Sequence, residues 1–214
     1  MFMKVKRLID IILSLVGLIV LSPILVILII AIKIDSKGPV LFKQKRVGIN
    51  KTHFYILKFR TMKIDAPIDT PTHLLDKPEQ YITRMGKFLR KTSLDELPQI
   101  WNILVGQMSI IGPRPALWNQ YDLIAEREKY HANAIRPGLT GWAQINGRDE
   151  VPIEIKSKFD GEYVEKMGPW MDIKCFFATI ISVFKSKGVL EGGTGAIGKT
   201  RSSVGSVTGE NFSK

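Results

Sequence analysis

Residues 11–32 read IILSLVGLIVLSPILVILIIAI, a run without one charged side chain. A straight helix of that length is roughly 33 Å long, enough to cross the hydrocarbon core of a bilayer. The run is longer than the apolar stretch of a signal peptide, and no small-x-small cleavage pattern follows it. The plain reading is one spanning helix. Two features oppose it. Ser22-Pro23 stands at the midpoint, where proline removes a helix hydrogen bond and crowds the preceding turn. The Ser22 hydroxyl is placed to serve a carbonyl that proline frees. Both flanks are also basic: Lys4, Lys6 and Arg7 precede the run, and Lys33, Lys37, Lys43, Lys45 and Arg46 follow it. The positive-inside rule puts both ends in the cytoplasm, which a spanning helix cannot do. Residues 1–34 are therefore expected to form a re-entrant membrane helix hairpin broken at Ser22-Pro23. Asp10 is expected to pair with Arg7 one turn back.

The rest of the chain is basic. Its 214 residues carry 31 Lys+Arg against 20 Asp+Glu. Fourteen of the cations and only five of the acids lie between Lys33 and Lys91, so that segment dominates the field. Such a field attracts phosphates, nucleic acid or acidic lipid. The single Cys175 excludes an internal disulfide and fits a reducing compartment. His53, His73 and His131 are scattered without metal-ligand spacing, which argues against a zinc site.

Two β-like runs, residues 40–46 and 53–59, flank the turn residues VGINKT and predict a hairpin. Residues 64–79, with Pro67, Pro71 and Pro78, read as an irregular loop. Helices are expected over 85–91, 93–105, 116–131 (solvated), 153–167 and 170–187. Residues 106–115 read as a turn-rich loop, and 136–148 as loop, short strand, loop. The last helix is apolar but carries Asp172, Lys174, Lys185 and Lys187, too polar for a convincing span. It is either a core helix or an interfacial one with Trp170 as anchor. The fold class is α+β, mostly α: a compact helical domain over 35–188 with a small β-hairpin, resting on the membrane surface. Residues 189–214 are Gly/Ser/Thr-rich with little apolar content and read as a disordered tail.

Within the body, residues 90–102 read RKTSLDELPQIWN. Ser93 and Glu96 fit a capping box, with Asp95 in the first turn where the helix dipole favours an acid. That accounts for both acids without any function. Pro98 disturbs it, since its ring would crowd the Leu94 carbonyl. A helix N-terminus also favours bound phosphate. Elsewhere Arg114 is fixed between Pro113 and Pro115, Arg136 precedes Pro-Gly, Arg148 follows Asn-Gly, and Arg60 ends a strand. Singly each is an ordinary solvated charge. A guanidinium held by prolines, however, loses less entropy when it grips phosphate. A membrane anchor, a basic body, stiffly held arginines and one acidic pair are the parts that phosphate-ester chemistry at a membrane needs. A divalent ion, usually Mg²⁺, can bridge carboxylate and phosphate, and a carboxylate can itself attack phosphorus.

The apolar run broken by Ser22-Pro23, then KFRTM (58–62), RKTSLDELPQIWN (90–102), MSIIGPRP (108–115) and RPGLTGWAQINGR (136–148), together resemble the bacterial sugar transferase family. These are monotopic phosphoglycosyl transferases, and the likeness runs from about residue 4 to 188. MKIDAP (62–67) and RPALWNQYDLI (114–124) bring it nearest to capsular-polysaccharide initiating enzymes. The resemblance implies transfer of a sugar 1-phosphate from a UDP-sugar to undecaprenyl phosphate, with release of UMP, as the first membrane step of capsule, O-antigen or glycoconjugate assembly. It hints at an N-acetylated 6-deoxy sugar such as N-acetylfucosamine. It implies Asp95 as nucleophile and Mg²⁺ ligand, Glu96 as an orienting or deprotonating partner acid, and Arg114 as a phosphate ligand. Lys58, Arg60, Arg90, Arg136 and Arg148 follow as substrate contacts, with Asp160 and Tyr163 in FDGEYV more loosely. The implied partners are UDP-sugar, undecaprenyl phosphate and membrane lipids, not nucleic acid. A homo-oligomer is left open. The implied location is the cytoplasmic face of the bacterial inner membrane. Two rivals stand beside this reading: a polyprenyl phosphate or diphosphate hydrolase using the same aspartyl chemistry, and a non-enzymatic basic scaffold at the membrane surface.

Overall fold

The structure is a computed structural model that describes residues 2–67, 75, 77–147 and 151–185. It is mostly helical, with a small antiparallel hairpin and a short parallel strand pair. The expected tail over 189–214 lies outside the described residues, as does much of the Pro-rich loop.

Helix α1 spans Phe2–Asp35 without interruption, and by length and composition it could cross a membrane. The expected break at Ser22-Pro23 is therefore not a break in secondary structure: Pro23 sits inside one helix rather than between two arms. The reason is local. Pro23 cannot donate to the carbonyl of Ile19, four residues back, and the Ser22 hydroxyl donates to that same carbonyl at 2.7 Å. The Ser-Pro pair thus repairs its own lesion.

Both ends of α1 are tied to the globular body. At its start Lys6 pairs with Asp172, and Arg7 donates to the carbonyls of Ile103 and Leu104. Asp10 accepts from the Ile110 amide rather than pairing with Arg7. Free carbonyls at the end of a neighbouring helix outbid a carboxylate one turn away, because a buried carbonyl left unpaired is costly. At the far end Leu28 and Ile32 bury against Phe59 and Leu89, and Asp35 accepts from the Met85 amide. Each of those two aliphatic side chains contributes about 2 kcal/mol by leaving water. Between these ends the outer face stays bare: Ile19, Val20, Ile24, Val26 and Ile27 are all exposed.

Strands β1 (Leu41–Val47) and β2 (His53–Phe59) form the expected hairpin, in register from Leu41 opposite Phe59 to Val47 opposite His53. The turn between them uses Asn50 at φ 52°, a conformation that asparagine tolerates better than most residues. Helix α2 covers Arg84–Thr92, capped by the Thr83 hydroxyl accepting from the Gly86 amide. The expected helix over 93–105 is shorter and later than its sequence reading. Ser93 lies in the left-handed region at φ 56° and closes α2, Leu94–Glu96 make one 3₁₀ turn, and α3 begins only at Gln99 and runs to Leu104. Ser93 makes no side-chain cap bond, so the capping box does not form. Pro98 is the cause: a regular helix from Ser93 would drive its ring into the Leu94 carbonyl.

The loop expected over 106–115 contains β3 (Ser109–Ile111), which pairs in parallel with β4 (Gly138–Thr140). Helix α4 (Tyr121–Glu128) lies between them in sequence, and α5 (Trp142–Asn146) follows β4. Helices α6 (Ile153–Glu165) and α7 (Pro169–Lys185) match the last two expected helices. The core is a chain of small clusters rather than one mass. β2 meets α3 through Phe54, Ile56 and Ile103, while β3, α6 and α7 meet through Ile111, Tyr163, Met171 and Cys175.

Candidate active site

Alternation along β2 decides where Lys58 points. Successive side chains take opposite faces, so Lys58 follows Phe54 and Ile56 onto the buried face. An ammonium on that face needs an anion. The 3₁₀ turn supplies two: Lys58 Nζ lies 2.7 Å from Glu96 Oε1 and 3.8 Å from Asp95 Oδ2. Register is set by Asn102 of α3, which acts as a surrogate strand. Its Oδ1 accepts from the Leu57 amide, next to Lys58, and its Nδ2 donates to the Tyr55 carbonyl, three residues before it.

Arg114 completes the cluster, with an Nη2 atom 3.2 Å from the same Glu96 oxygen. Burial by itself pushes the Glu96 carboxyl up. Lys58 and Arg114 outweigh it through charge and hydrogen bonds and hold the group at about 2. Glu96 is therefore an ionised clamp on two cations at neutral pH and a poor store for a proton. Asp95 is only 5% exposed and shares Lys58, whose ammonium lies closer to Glu96. The result is a buried carboxylate beside Lys58, in a cluster of two cations and two carboxylates. The left-handed Ser93 sets this turn, a strained position of about 1–2 kcal/mol adjoining the acids.

The other expected contacts separate into groups. Arg60 is buried, and its two terminal nitrogens donate to the Ser36 and Lys37 carbonyls, fastening β2 to the end of α1. Arg90 Nε donates to the Thr61 hydroxyl. Arg136 Nε donates to the Gly106 carbonyl, and the residue lines a small cavity with Lys6, Arg7 and Ser109 at the start of α1. Asp160 is buried in an ion pair with Arg127 at 2.7 Å. Tyr163 is buried too. Its hydroxyl donates to Asp172, and burial together with that carboxylate raises its pKa. Arg148 lies outside the described residues. Sequence reasoning missed Asn102 and Arg127. Asn102 stood inside a quoted motif, and nothing in its local spacing marked it from Gln99. Arg127 gave no cue, because YDLIAEREKY reads as a charged helix surface.

A divalent cation would find few protein ligands here. Among the described residues no group of three His, Cys, Asp or Glu side chains converges. The carboxylates at this turn are Asp95 and Glu96, both within reach of Lys58. That donor set suits Mg²⁺, which keeps water and takes substrate phosphate oxygens beside one or two carboxylates.

The model of the bacterial sugar transferase family matches residues 1–186. The chain is 38% identical over 194 residues to a UDP-glucose:undecaprenyl-phosphate glucose-1-phosphate transferase of Xanthomonas campestris pv. campestris, covering 87% of this chain and 40% of that protein. It is 38% identical to the UDP-galactose-lipid carrier transferase of Erwinia amylovora, over 86% of this chain and 41% of that protein. It is 34% identical to the exopolysaccharide production protein ExoY of Sinorhizobium fredii, over 86% of this chain and 87% of that protein. The chain thus spans about two fifths of the length of several curated relatives that it matches.

Proposed function

This chain belongs to the bacterial sugar transferase family, and on that premise we propose that it moves a sugar 1-phosphate from a UDP-sugar to undecaprenyl phosphate and releases UMP. The observation that carries this reading is the Asp95–Glu96–Lys58–Arg114 cluster, a buried carboxylate in a group whose cations are held by a second carboxylate, ionised at neutral pH. The names of its relatives supply the substrate classes: a UDP-hexose and a lipid carrier phosphate. An N-acetylated deoxy sugar such as N-acetylfucosamine is our choice of sugar.

In the first step a carboxylate oxygen of Asp95 attacks the β-phosphorus of the UDP-sugar. The bond from that phosphorus to the bridging oxygen breaks, and UMP leaves with the electron pair. The product is an acyl phosphate joining Asp95 to the sugar phosphate. In the second step an oxygen of the lipid phosphate attacks the same phosphorus and restores the carboxylate. Nucleophile and leaving group are anionic in both steps, so no proton need move. That agrees with a Glu96 that stays ionised and orients Lys58 and Arg114 toward the phosphate oxygens. Bound Mg²⁺ would add neutralisation of phosphate charge, with Asp95 as its protein ligand.

The membrane placement belongs to the same proposal. Both ends of α1 bond to one globular body, so we place both on one side of the bilayer, the cytoplasmic side. A bend of the continuous helix at Pro23 would let its bare middle, from Ile19 to Ile27, enter the lipid and return. Trp101 of α3, Val105 just after it, and Trp170, Ile173 and Phe177 of α7 are exposed apolar side chains suited to the interface.

The test is direct. The protein is incubated with a UDP-sugar and no lipid, quenched, and its peptides are mapped by mass spectrometry. A phosphosugar adduct on Asp95 is expected, and Asp95→Asn should lose both the adduct and UMP release. Normal turnover without any adduct would sink the two-step route. Lipid-independent release of inorganic phosphate would point to a hydrolase instead.

A further inference from the structure

The Pro113-Arg114-Pro115 turn cannot hold itself. Its prolines have no amide hydrogens, so its carbonyls are the handles by which the rest of the protein can fix it. Four consecutive carbonyls are gripped, each from outside the turn. Pro113 accepts from the Gly138 amide at 2.8 Å, and Ala116 accepts from the Val47 amide at 2.9 Å. Arg114 accepts from Arg127 Nη1 and Pro115 accepts from Arg46 Nη1, both at 2.9 Å. Two of the four donors are arginine side chains. Arg127 is 3% exposed and is held in turn by Asp160, 1% exposed, through Nε and Nη2 at 2.7 Å each.

A buried ion pair is weak evidence for stability, since apolar residues of the same volume often do as well. Apolar residues could not supply a donor to the Arg114 carbonyl. We infer that Arg127, anchored by Asp160, and Arg46 are positioning residues that fix the Pro-Arg-Pro turn and so aim the Arg114 guanidinium at Glu96 and the phosphate beside Asp95. This rests on the transferase reading for the identity of that phosphate. The signal runs from α6 through α4 to the turn: Asp160 to Arg127, Arg127 to the Arg114 backbone, and the Arg114 side chain to Glu96. A displacement of the order of 1 Å in a phosphate ligand costs about 100-fold in rate, so loss of one grip should be visible.

The experiment is a double-mutant cycle on the full chain in a membrane mimetic. Arg127→Lys retains a charge for Asp160 but cannot also reach the Arg114 carbonyl. It is combined with Arg114→Met, and each protein is read by UMP release and, separately, by binding of inorganic pyrophosphate. If Arg127 acts through Arg114, its single change lowers kcat/KM about 100-fold, and the double variant is no worse than Arg114→Met. Pyrophosphate binding should show the same non-additivity. Losses that multiply, or an Arg127→Lys variant with wild-type behaviour, would overturn the inference. Should Arg127→Lys fail to fold, the cycle is run with Arg46→Lys at its less buried position, with the same expected coupling and the same overturning result. Variants that couple in pyrophosphate binding, alongside a wild-type protein that releases no UMP from any UDP-sugar, would topple the reaction assignment and leave the positioning intact. Turnover with additive losses would do the reverse.

Discussion

Glu96 has two cations against one carboxylate, and its charge is what makes Lys58 and Arg114 share a site. Glu96→Gln keeps the shape and removes the charge. The expected outcome is a folded protein whose turnover falls by about 100-fold, because two preorganised cations lose the anion that aims them. Circular dichroism and steady-state UMP release check it together, and full turnover would refute the clamp. The acids were conspicuous in the sequence because SLDELP stands in a basic chain. Lys58 was legible as the end of a strand. Its inward direction needed the period of β2 and the buried neighbours Phe54 and Ile56. Arg127 was not legible at all. Its partner Asp160 is 33 residues on, and no local pattern announces an ion pair across two helices.

Among the elements, the attachment of α1 yields a second expectation. Lys4 and Lys6 look equivalent in the sequence, as flanking charge for membrane orientation. In the fold Lys4 is exposed, whereas Lys6 is buried against Asp172, which also accepts from Tyr163. Lys6→Ala should lower stability by about 2–3 kcal/mol, somewhat below a fully buried pair because Asp172 is partly solvated. Lys4→Ala should leave it unchanged. Thermal melts in nanodiscs compare the two, and equal melts would count against the tie. A third expectation concerns β3 and β4. A Cβ on Gly138 would lie 2.1 Å from the Gly112 amide nitrogen, where only glycine lets the backbones approach. Gly138→Ala should destabilise the protein by roughly 1–3 kcal/mol. It should also weaken the Gly138 grip on Pro113, lowering turnover more than the melt alone implies. Unchanged melting would refute the close approach.

For the molecule as a whole, topology is the quantity to measure. Cys175 is fully buried, and burial, reinforced by Asp172, pushes its thiol up to about 11. Its reactive thiolate is therefore scarce at pH 8 and grows only as pH approaches that value. The native protein should resist a maleimide at pH 8 and react on denaturation. With that silent background, Lys4→Cys and Lys37→Cys, both exposed positions, report the two ends of α1. Both should be labelled from the same side of an oriented vesicle. Labelling from opposite sides would overturn the re-entrant placement. The proposed placement rests on a bare apolar middle of α1 between ends that are bonded into one body.

What the sequence by itself determined was whatever depends on neighbours in the chain. Strand and helix periods located β1, β2, α2, α6 and α7. The uncharged run declared α1, whereas the Ser22-Pro23 pair announced a break, and only the structure showed the Ser22 hydroxyl serving the Ile19 carbonyl inside one continuous helix. The family motifs singled out Asp95, Glu96 and Arg114. Only the tertiary structure decided how the charges are allotted. It gave Lys6, Arg7 and Arg60 to the joints of α1. Lys58 and Arg114 went to Glu96, and Arg127 went to the backbone of the turn that carries Arg114. It also replaced the capping box by a left-handed Ser93 and a 3₁₀ turn. The physical reason is that a charge carries no record of its partner in local spacing. Buried ion pairs and carbonyl grips are settled by which desolvated groups the fold brings within about 3 Å, where an unmatched one costs more than local preference can return.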